Sequence, residues 1–492
     1  MKKYILYILL IPGLLLSSCN KWLEIDPEDR IMEDNLFSSR EGFMVALNGV
    51  YIEMSSSTLY GGWMQVGLFD VLAQYYTDAM GYNTHAYSNY KDFQYEQEGV
   101  KNTYQAIWEK YYNLIVNCNS IIEHCDKAKD LLGDKYYSLI KGEALALRAF
   151  FHFEVLRIWG PIFKENPEAL SIPYAESSVI EVRPLLAGNV VYEKILKDLK
   201  DAESLLKNQD PIITEGTLFS PGGFGEGNDL HYRNLRLNYF AVQALIARSA
   251  LYCNDQPTAL EYAKKVVTGV QKEDEEIFPF IVRGQDDQDR VYKTELLFAQ
   301  YNLKRGDLWK NYFSNSLSDA SVLRVSDDMV DAMYEETDYR YKNQWKKAKS
   351  PQEVEQYYFI KYSEVSISNP DNEKEKQQKE HRYLVPMIRV SEMYYIIAEC
   401  EADQTLALNA INKVRNARAL KNLTDYSQLA SELEKEYKRE FIGEGQLFFY
   451  YKRLAKEQIE YGEGYWGPLT VEMDTDKYIP SLPDSEKNNR ID

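Results

Sequence analysis

Apolar residues recur at three- and four-residue intervals over long stretches of this chain, which is the pattern of amphipathic helices. The first such stretch begins at Glu41 and places one apolar face along Phe43, Leu47, Val50, Tyr51 and Met54. The same spacing predicts helices over residues 102–129, 135–159 and 190–206, the middle one ending at the helix-breaking pair Gly160-Pro161. No alternating strand pattern competes with these helices. The sequence therefore predicts an all-α fold with long irregular loops and a few short strands.

Two later segments, residues 239–267 and 390–419, resemble each other. Each has two alanines twelve residues apart with a turn between them: Ala247 and Ala259 in the first, Ala398 and Ala410 in the second. Small residues at this spacing let the two helices of a pair approach closely, as in tetratricopeptide repeats. The rest of that consensus is absent, so we expect helix pairs stacked as a scaffold rather than a regular array.

Four long stretches between the helices lack this periodicity, at residues 55–100, 208–231, 270–315 and 338–382. Loops of this length inside a compact chain are usually functional or disordered. The first and third are rich in aromatic residues, which favours a functional role. Residues 369–380 are almost wholly polar and predict a solvated loop.

The first 18 residues have the parts of a secretory signal. Two lysines are followed by an apolar stretch at 4–16 that is too short to span a bilayer, and then by two serines and Cys19. The motif Leu-Ser-Ser-Cys at 16–19 resembles a bacterial lipobox, in which the cysteine is acylated and becomes the mature N-terminus. We predict lipidation of Cys19, and the alternative is a plain signal peptide with a chance cysteine. Residues 19–40 then form a lipidated lead segment, and residues 41–492 form one domain.

The chain of 492 residues carries a formal net charge of −19 at pH 7. Such an acidic surface argues against nucleic acid and anionic membrane surfaces as partners. The 40 tyrosines and 7 tryptophans suit half-wet surfaces and polar ligands, because tyrosine joins a flat apolar face to a hydroxyl. Cys118 and Cys125 are about 10 Å apart along a predicted helix, too far for a disulfide. We expect the four cysteines after Cys19 to be small buried residues.

Known catalytic motifs are absent from the sequence. The five histidines form no HExxH pair, and neither a nucleophile elbow nor a Walker loop is present. We predict a protein that is not an enzyme and has no cofactor, while a glycosidase carboxylate pair stays open because acidic residues are abundant. Asp286, Asp287 and Asp289 lack the glycine and closing glutamate of an EF-hand loop, so surface acidity is the preferred interpretation and calcium binding stays open.

Several short motifs follow one another in order along nearly the whole chain. They are Trp-Leu-Glu-Ile-Asp-Pro at 22–27, Ala-Leu-Asn-Gly-Val-Tyr at 46–51, the stretch 143–153 before Trp-Gly-Pro at 159–161, the stretches 388–394 and 436–441, and Tyr-Ile-Pro at 478–480. In this order they resemble the RagB/SusD family of outer-membrane nutrient-binding lipoproteins. Charged residues within or near these motifs lie among apolar helical neighbours, which favours internal salt bridges over ligand contacts: Arg148, Arg389, Glu399, Glu440 and Arg453.

The resemblance implies a helical protein with tetratricopeptide-like units that is anchored to the outer membrane by lipid and faces the cell exterior. It implies a lid over a TonB-dependent transporter of the SusC type, with an oligosaccharide or, alternatively, a peptide as ligand. In the family the ligand surface is built from loops, which here correspond to the first and third aromatic stretches. From these we predict Tyr82, Asn83, Tyr87 and Trp309 as ligand contacts, and burial against the scaffold is the competing interpretation for each. An exported hydrolase and a structural subunit with a vestigial site are the remaining alternatives.

Overall fold

The computed structural model describes residues 33–76, 85–217, 230–273, 275–369, 371–464, 467–488 and 490. Helices account for 56% and strands for 8% of the structure, which confirms the predicted all-α class with short strands. Cys19 lies outside the described residues. Within the described ranges, no helix is long and apolar enough to cross a membrane.

The helices and strands are numbered in chain order. The helices are α1 Arg40–Met54, α2 Leu68–Leu72, α3 Ser88–Lys91, α4 Glu98–Lys127, α5 Lys129–Trp159, α6 Gly188–Leu206, α7 Ile212–Glu215, α8 Tyr239–Tyr252, α9 Gln256–Gly269, α10 Arg305–Tyr312, α11 Asp327–Met333, α12 Tyr339–Gln344, α13 Glu373–Gln378, α14 Val390–Cys400, α15 Gln404–Ala417, α16 Leu429–Glu440, α17 Leu447–Leu454, α18 Thr475–Tyr478 and α19 Asp484–Asn488. The strands are β1 Leu296–Tyr301, β2 Trp345–Lys349, β3 Glu355–Phe359, β4 Leu384–Arg389, β5 Gln458–Gly464 and β6 Gly467–Glu472, paired antiparallel as β1-β4, β2-β3 and β5-β6.

Helix α5 forms the centre of the N-terminal half. Every residue from Gly142 to Trp159 is buried, because α1, α4 and α6 all pack against it. A helix enclosed on all sides needs no polar face, and this part of α5 has none. Its start is earlier than predicted, at Lys129, with a kink at Gly133, where φ is +63°.

The two predicted helix pairs are confirmed as α8 with α9 and α14 with α15. Asp255 and Asp403 cap the second helix of each pair by accepting backbone N–H groups of its first turn. The four alanines at the predicted spacing are buried. Helix α9 also packs against α14, so the two pairs lie side by side, as in a stack of helical repeats.

Several stretches that the sequence predicts to be irregular contain ordered elements. Strand β1 and helix α10 lie in the third stretch, the β2-β3 hairpin lies in the fourth, and α13 lies within the polar residues 369–380. The few short strands of the predicted fold are confirmed, but their positions could not be predicted because strands of five or six residues are too short for a periodic pattern. Strand β1 is also stabilised by β4, a partner that follows it only much later in the chain.

The four cysteines after Cys19 are free thiols, and three of them are buried as predicted. Cys118, Cys125 and Cys253 are buried, and Cys400 is half-buried. Burial raises the pKa of the Cys125 thiol to about 12. These side chains therefore behave as small apolar residues of the interior.

The charges of these motifs form buried or half-buried ion pairs within the scaffold, as the sequence predicts. Arg148 on α5 donates two hydrogen bonds of 2.7 Å to Asp198 on α6. Arg453 on α17 donates two of 2.6 Å to Glu399 on α14. Such bidentate pairs fix the position of one helix on another, because two parallel hydrogen bonds define both the distance between the charged groups and the plane of the guanidinium.

A tight turn at residues 441–446 is bound to helix α2 by one carboxylate. Asp70 accepts the backbone N–H of Gly443 at 2.6 Å and that of Gly445 at 3.1 Å, and the hydroxyl of Tyr76 at 3.1 Å. Burial raises the pKa of Asp70 to about 7, against the lowering effect of these donors. The turn requires glycine at 445, where φ is +63° and a Cβ atom would lie 2.3 Å from the carbonyl oxygen of Met64.

We expect Gly445→Ala to lower the free energy of unfolding by about 3 kcal/mol. Left-handed backbone costs an L-residue about 1–2 kcal/mol, and the clash with a backbone oxygen adds a similar amount. Urea denaturation measures the change. Gly49→Ala is the matched control: it lies inside α1 with no atom within 4 Å of the new methyl, so it should raise stability by about 0.5–1 kcal/mol. Equal stability of the two variants would contradict this account of the turn.

Candidate ligand-binding site

The first aromatic stretch meets the end of the third stretch and the residues just after it, more than 200 positions further along the chain. The N–H of Ala86 donates to the carbonyl of Ala320 at 3.1 Å. His85 Nε2 lies 3.1 Å from the carbonyl oxygen of Val322, while its Nδ1 accepts the N–H of Tyr87 at 3.1 Å. Burial lowers the pKa of His85. Because Nδ1 accepts the N–H of Tyr87, a neutral ring carries its proton on Nε2 and donates it to Val322. The histidine joins the two loops and leaves neither nitrogen for a ligand.

Four aromatic rings cluster where these loops meet. Ring centroids are separated by 5.4 Å for Trp63 and Tyr87, 5.2 Å for Trp63 and Tyr90, 5.8 Å for Tyr87 and Tyr90, and 6.5 Å for Tyr87 and Tyr312. Trp309 lies one helical turn before Tyr312 on the same side of α10. We call these five residues the aromatic platform.

The platform has a buried floor and a more accessible rim. Tyr87 and Tyr90 are only 9% and 8% exposed, and burial raises the pKa of both hydroxyls. Trp63, Trp309 and Tyr312 are half-buried, so each presents part of its ring to solvent. The indole N–H of Trp309 is buried and has no hydrogen-bond partner within the protein. A surface of this kind suits a ligand with apolar faces and hydroxyl groups.

Glycines allow the close packing of the platform. A Cβ atom at Gly62 would lie 2.9 Å from the hydroxyl of Tyr312, and one at Gly67 would lie 3.6 Å from its ring. Between these two glycines runs a single π-helical turn, Trp63–Gly67, which places Trp63 at the platform. Such turns are rare and are often found at functional sites.

The predicted ligand contacts are placed differently from one another. Tyr87 belongs to the floor, and its hydroxyl hydrogen-bonds that of Tyr312. Trp309 belongs to the rim, whereas Tyr82 and Asn83 lie outside the described residues. Tyr312 was one of the aromatic residues of the third stretch but not one of the four predicted contacts, although its spacing of three from Trp309 on a helix was a usable signal.

Asp286, Asp287 and Asp289 do not form one surface patch. Asp287 is exposed and Asp286 is half-buried, but Asp289 is buried and accepts the backbone N–H of Lys293 at 3.1 Å. Burial raises the pKa of Asp289 to about 6. The interpretation as surface acidity was thus wrong for Asp289, which stabilises the local turn. Among the residues that the structure describes, no group of three or more His, Cys, Asp or Glu side chains is placed to hold a metal ion.

Comparisons with known proteins agree with this architecture. A family model described as "Starch-binding associating with outer membrane" matches residues 21–215, and the model of the SusD family matches residues 242–490. A SusD superfamily protein of Bacteroides thetaiotaomicron is 19% identical with a TM-score of 0.70, covering 92% of this chain and 98% of that one. A SusD-like carbohydrate binding protein of Bacteroides vulgatus is 17% identical with a TM-score of 0.66, covering 92% of this chain and 96% of that one. At these identities the likeness shows the fold alone.

Curated relatives match over a smaller part of their length. SusD-like protein P38 of Formosa agariphila is 23% identical over 223 residues, which cover 42% of this chain and 39% of the relative. A SusD-like protein of Bacteroides ovatus is 23% identical over 212 residues, covering 42% of this chain and 35% of the relative. The matched region therefore spans about two fifths of these relatives. The family models, which together reach from residue 21 to residue 490, carry the assignment: the chain belongs to the SusD family.

Proposed function

We propose that the protein is a nutrient-binding lipoprotein of the outer membrane that captures an oligosaccharide outside the cell. It then passes this ligand to a TonB-dependent transporter of the SusC type. The observation that carries the proposal is the aromatic platform, formed where two loops meet on a helical scaffold of the SusD family.

The geometry of the platform suits sugar rings. Pyranose rings present C–H faces that pack on the partly exposed rings of Trp63, Trp309 and Tyr312. Stacking of this kind supports affinities near 1 mM, or about −4 kcal/mol. Weak binding is sufficient beside a transporter, because tethering raises the effective concentration of the ligand.

The location rests on Cys19 and on the family. Acyl chains on Cys19 would anchor the chain, since each buried methylene contributes about 0.8 kcal/mol. The description of the model matching residues 21–215 supports association with the outer membrane. The lead segment 19–40 would then place the single domain 41–492 above the membrane surface.

A binding role without catalysis or a cofactor accords with the family. The relatives are described by binding rather than by a reaction. The buried carboxylate of Glu440 forms ion pairs with three arginines, so it is not free to act in a glycosidase pair. The proposal is therefore a capture protein rather than an exported hydrolase.

Affinity electrophoresis of the purified protein in gels containing soluble glycans tests the proposal. We expect slower migration in at least one glycan and no effect of a matched panel of soluble peptides. Binding of peptides alone would replace the oligosaccharide with a peptide ligand. Release of sugar products from a glycan by the purified protein would contradict a capture role and establish a hydrolase.

A further inference from the structure

A second concave site lies beside α1, between this helix and strands β1 and β4, and it shares no residue with the aromatic platform. This α1 cavity has a volume of about 400 Å³ and opens between α1, the end of β1, the start of β4 and the turn at 232–236. Its main lining residues are Asn48, Ile52, Tyr232, Arg236, Gln300 and Tyr301. We infer that the α1 cavity is a second ligand site, which takes a neutral pyranose ring. The inference goes beyond the proposed function and does not depend on the platform.

Two buried polar atoms of the cavity lining make no hydrogen bond within the protein. Gln300 is 4% exposed; its Nε2 donates to the carbonyl of Tyr51 at 2.5 Å, but its Oε1 accepts no hydrogen bond. Arg236 donates from Nη2 to Asn48 Oδ1, whereas its Nη1 has no hydrogen-bond partner. A buried polar atom without a partner costs about 1–3 kcal/mol. The cavity thus offers one acceptor and one donor that a ligand would satisfy.

Aromatic side chains form the walls. Tyr301 is 44% exposed, and its ring centroid lies 5.2 Å from that of Tyr383. The hydroxyl of Tyr232 hydrogen-bonds Glu380, which holds the second ring in place. Tyr232 has left-handed backbone with φ of +54°, a conformation that costs an L-residue about 1–2 kcal/mol. Strain held at a residue of a concave site is typical of functional positions.

The charges around the cavity favour an uncharged ligand. Arg236 Nη1 lies 3.9 Å from Glu143, and the same carboxylate pairs with Arg233, which also pairs with Asp210. Two positive and two negative charges therefore balance behind the cavity. Glu380 on the opposite wall would repel a carboxylate on a ligand.

The donor and acceptor together exclude a purely apolar ligand, which would leave both atoms unpaired. Sugar hydroxyls both donate and accept, and the opposite face of a pyranose ring packs on tyrosine. The volume lies at the lower end of the range of about 300–1,000 Å³ for small-ligand sites, which suits one or two sugar rings. A neutral pyranose unit is the ligand class that satisfies all of these features.

Saturation-transfer NMR with the purified protein tests this inference. The probes are the methyl pyranosides of glucose, galactose, mannose and xylose, with glucuronate as the charged counterpart. We expect transfer to at least one neutral pyranoside in the wild type, and binding about tenfold weaker in Tyr301→Ala. Ile52→Trp fills the cavity from an exposed position and should act in the same way without removing an internal contact. Tyr426→Ala, a half-buried tyrosine far along the chain, is the matched control.

The platform variant Trp309→Ala/Tyr312→Ala separates the two sites. Transfer that persists in this variant and is lost in Tyr301→Ala and Ile52→Trp supports the second site. Transfer that is lost only in the platform variant leaves the proposed function intact and overturns the inference. The inference would also be overturned by no transfer to any pyranoside in the wild type, or by binding of glucuronate alone. Transfer in Tyr301→Ala and Ile52→Trp equal to that in the wild type would overturn it as well.

Discussion

Replacement of Glu440 by glutamine is expected to lower the free energy of unfolding by about 3–5 kcal/mol, because it leaves buried arginines without their shared partner. Glu440 is buried at the end of α16 and accepts hydrogen bonds from three arginines. Arg340 donates at 2.8 Å, Arg418 donates at 2.6 Å, and Arg389 donates a further bond. These arginines come from α12, from the residue after α15 and from the end of β4. The carboxylate therefore joins elements that are distant in the sequence.

The effect of Glu440→Gln should depend on pH. Burial alone would raise the pKa of Glu440, but Arg418, Arg389 and Arg340 hold it well below its usual value. A depressed pKa in the folded state contributes stability above the unfolded pKa, and this stability is lost as pH falls through the folded pKa. The difference in free energy of unfolding between wild type and variant should therefore be largest at about pH 7 and smaller at about pH 3.

Urea denaturation at both pH values measures the effect of Glu440→Gln. Glu353→Gln is the matched control, because Glu353 pairs with Lys349 while its side chain is 76% exposed. We expect this control to change the free energy of unfolding by less than about 0.5 kcal/mol. A loss below about 1 kcal/mol in Glu440→Gln would show that the arginines find other partners.

Replacement of Cys19 by alanine is expected to abolish incorporation of labelled palmitate and to remove the protein from the outer-membrane fraction. The reason is that the thiol is the only atom of the predicted lipobox that can carry the first lipid. Without several acyl chains the acidic domain has little affinity for a membrane surface. The measurement is palmitate labelling of cells followed by fractionation and detection of the chain.

Ser18→Ala is the control for Cys19→Ala, because alanine preserves the small residue before the cysteine. This variant should be labelled and anchored like the wild type. Palmitate incorporation that persists in Cys19→Ala would place the lipid elsewhere and contradict the proposed anchor.

The long helices could be predicted from the sequence because each has a continuous apolar face. The ends of the helices were less predictable. Helix α5 begins at Lys129, six residues before the predicted start at residue 135, because the helix kinks at Gly133 and continues beyond it. Helix-breaking residues are visible in a sequence, but whether a helix continues beyond them depends on what packs there.

The charged signature residues show what local patterns can and cannot predict. An arginine such as Arg148 within an apolar helix has to be paired, so an internal salt bridge could be predicted. Its partner could not be named, because Asp198 lies on another helix and nothing in its local sequence distinguishes it from other acidic residues.

The site was predictable at the level of loops but not of side chains. The aromatic content of two stretches pointed to the platform, and Trp309 lies on its rim. Tyr87 lies instead in the floor, because a tyrosine can pack its ring inside and bind a neighbour through its hydroxyl. The α1 cavity was not predicted, since its lining comes from four separate parts of the chain and includes no motif.

The claim that the aromatic platform captures the ligand is tested most directly by calorimetric titration of the double variant Trp309→Ala/Tyr312→Ala. The titrant is the glycan that slows the migration of the wild type to the greatest extent. We expect affinity at least tenfold weaker than that of the wild type, about 1.4 kcal/mol, with unchanged affinity in the Tyr426→Ala control. Unchanged thermal unfolding of the double variant would exclude a general loss of structure. Affinity of the double variant within about twofold of the wild type would contradict capture at the aromatic platform.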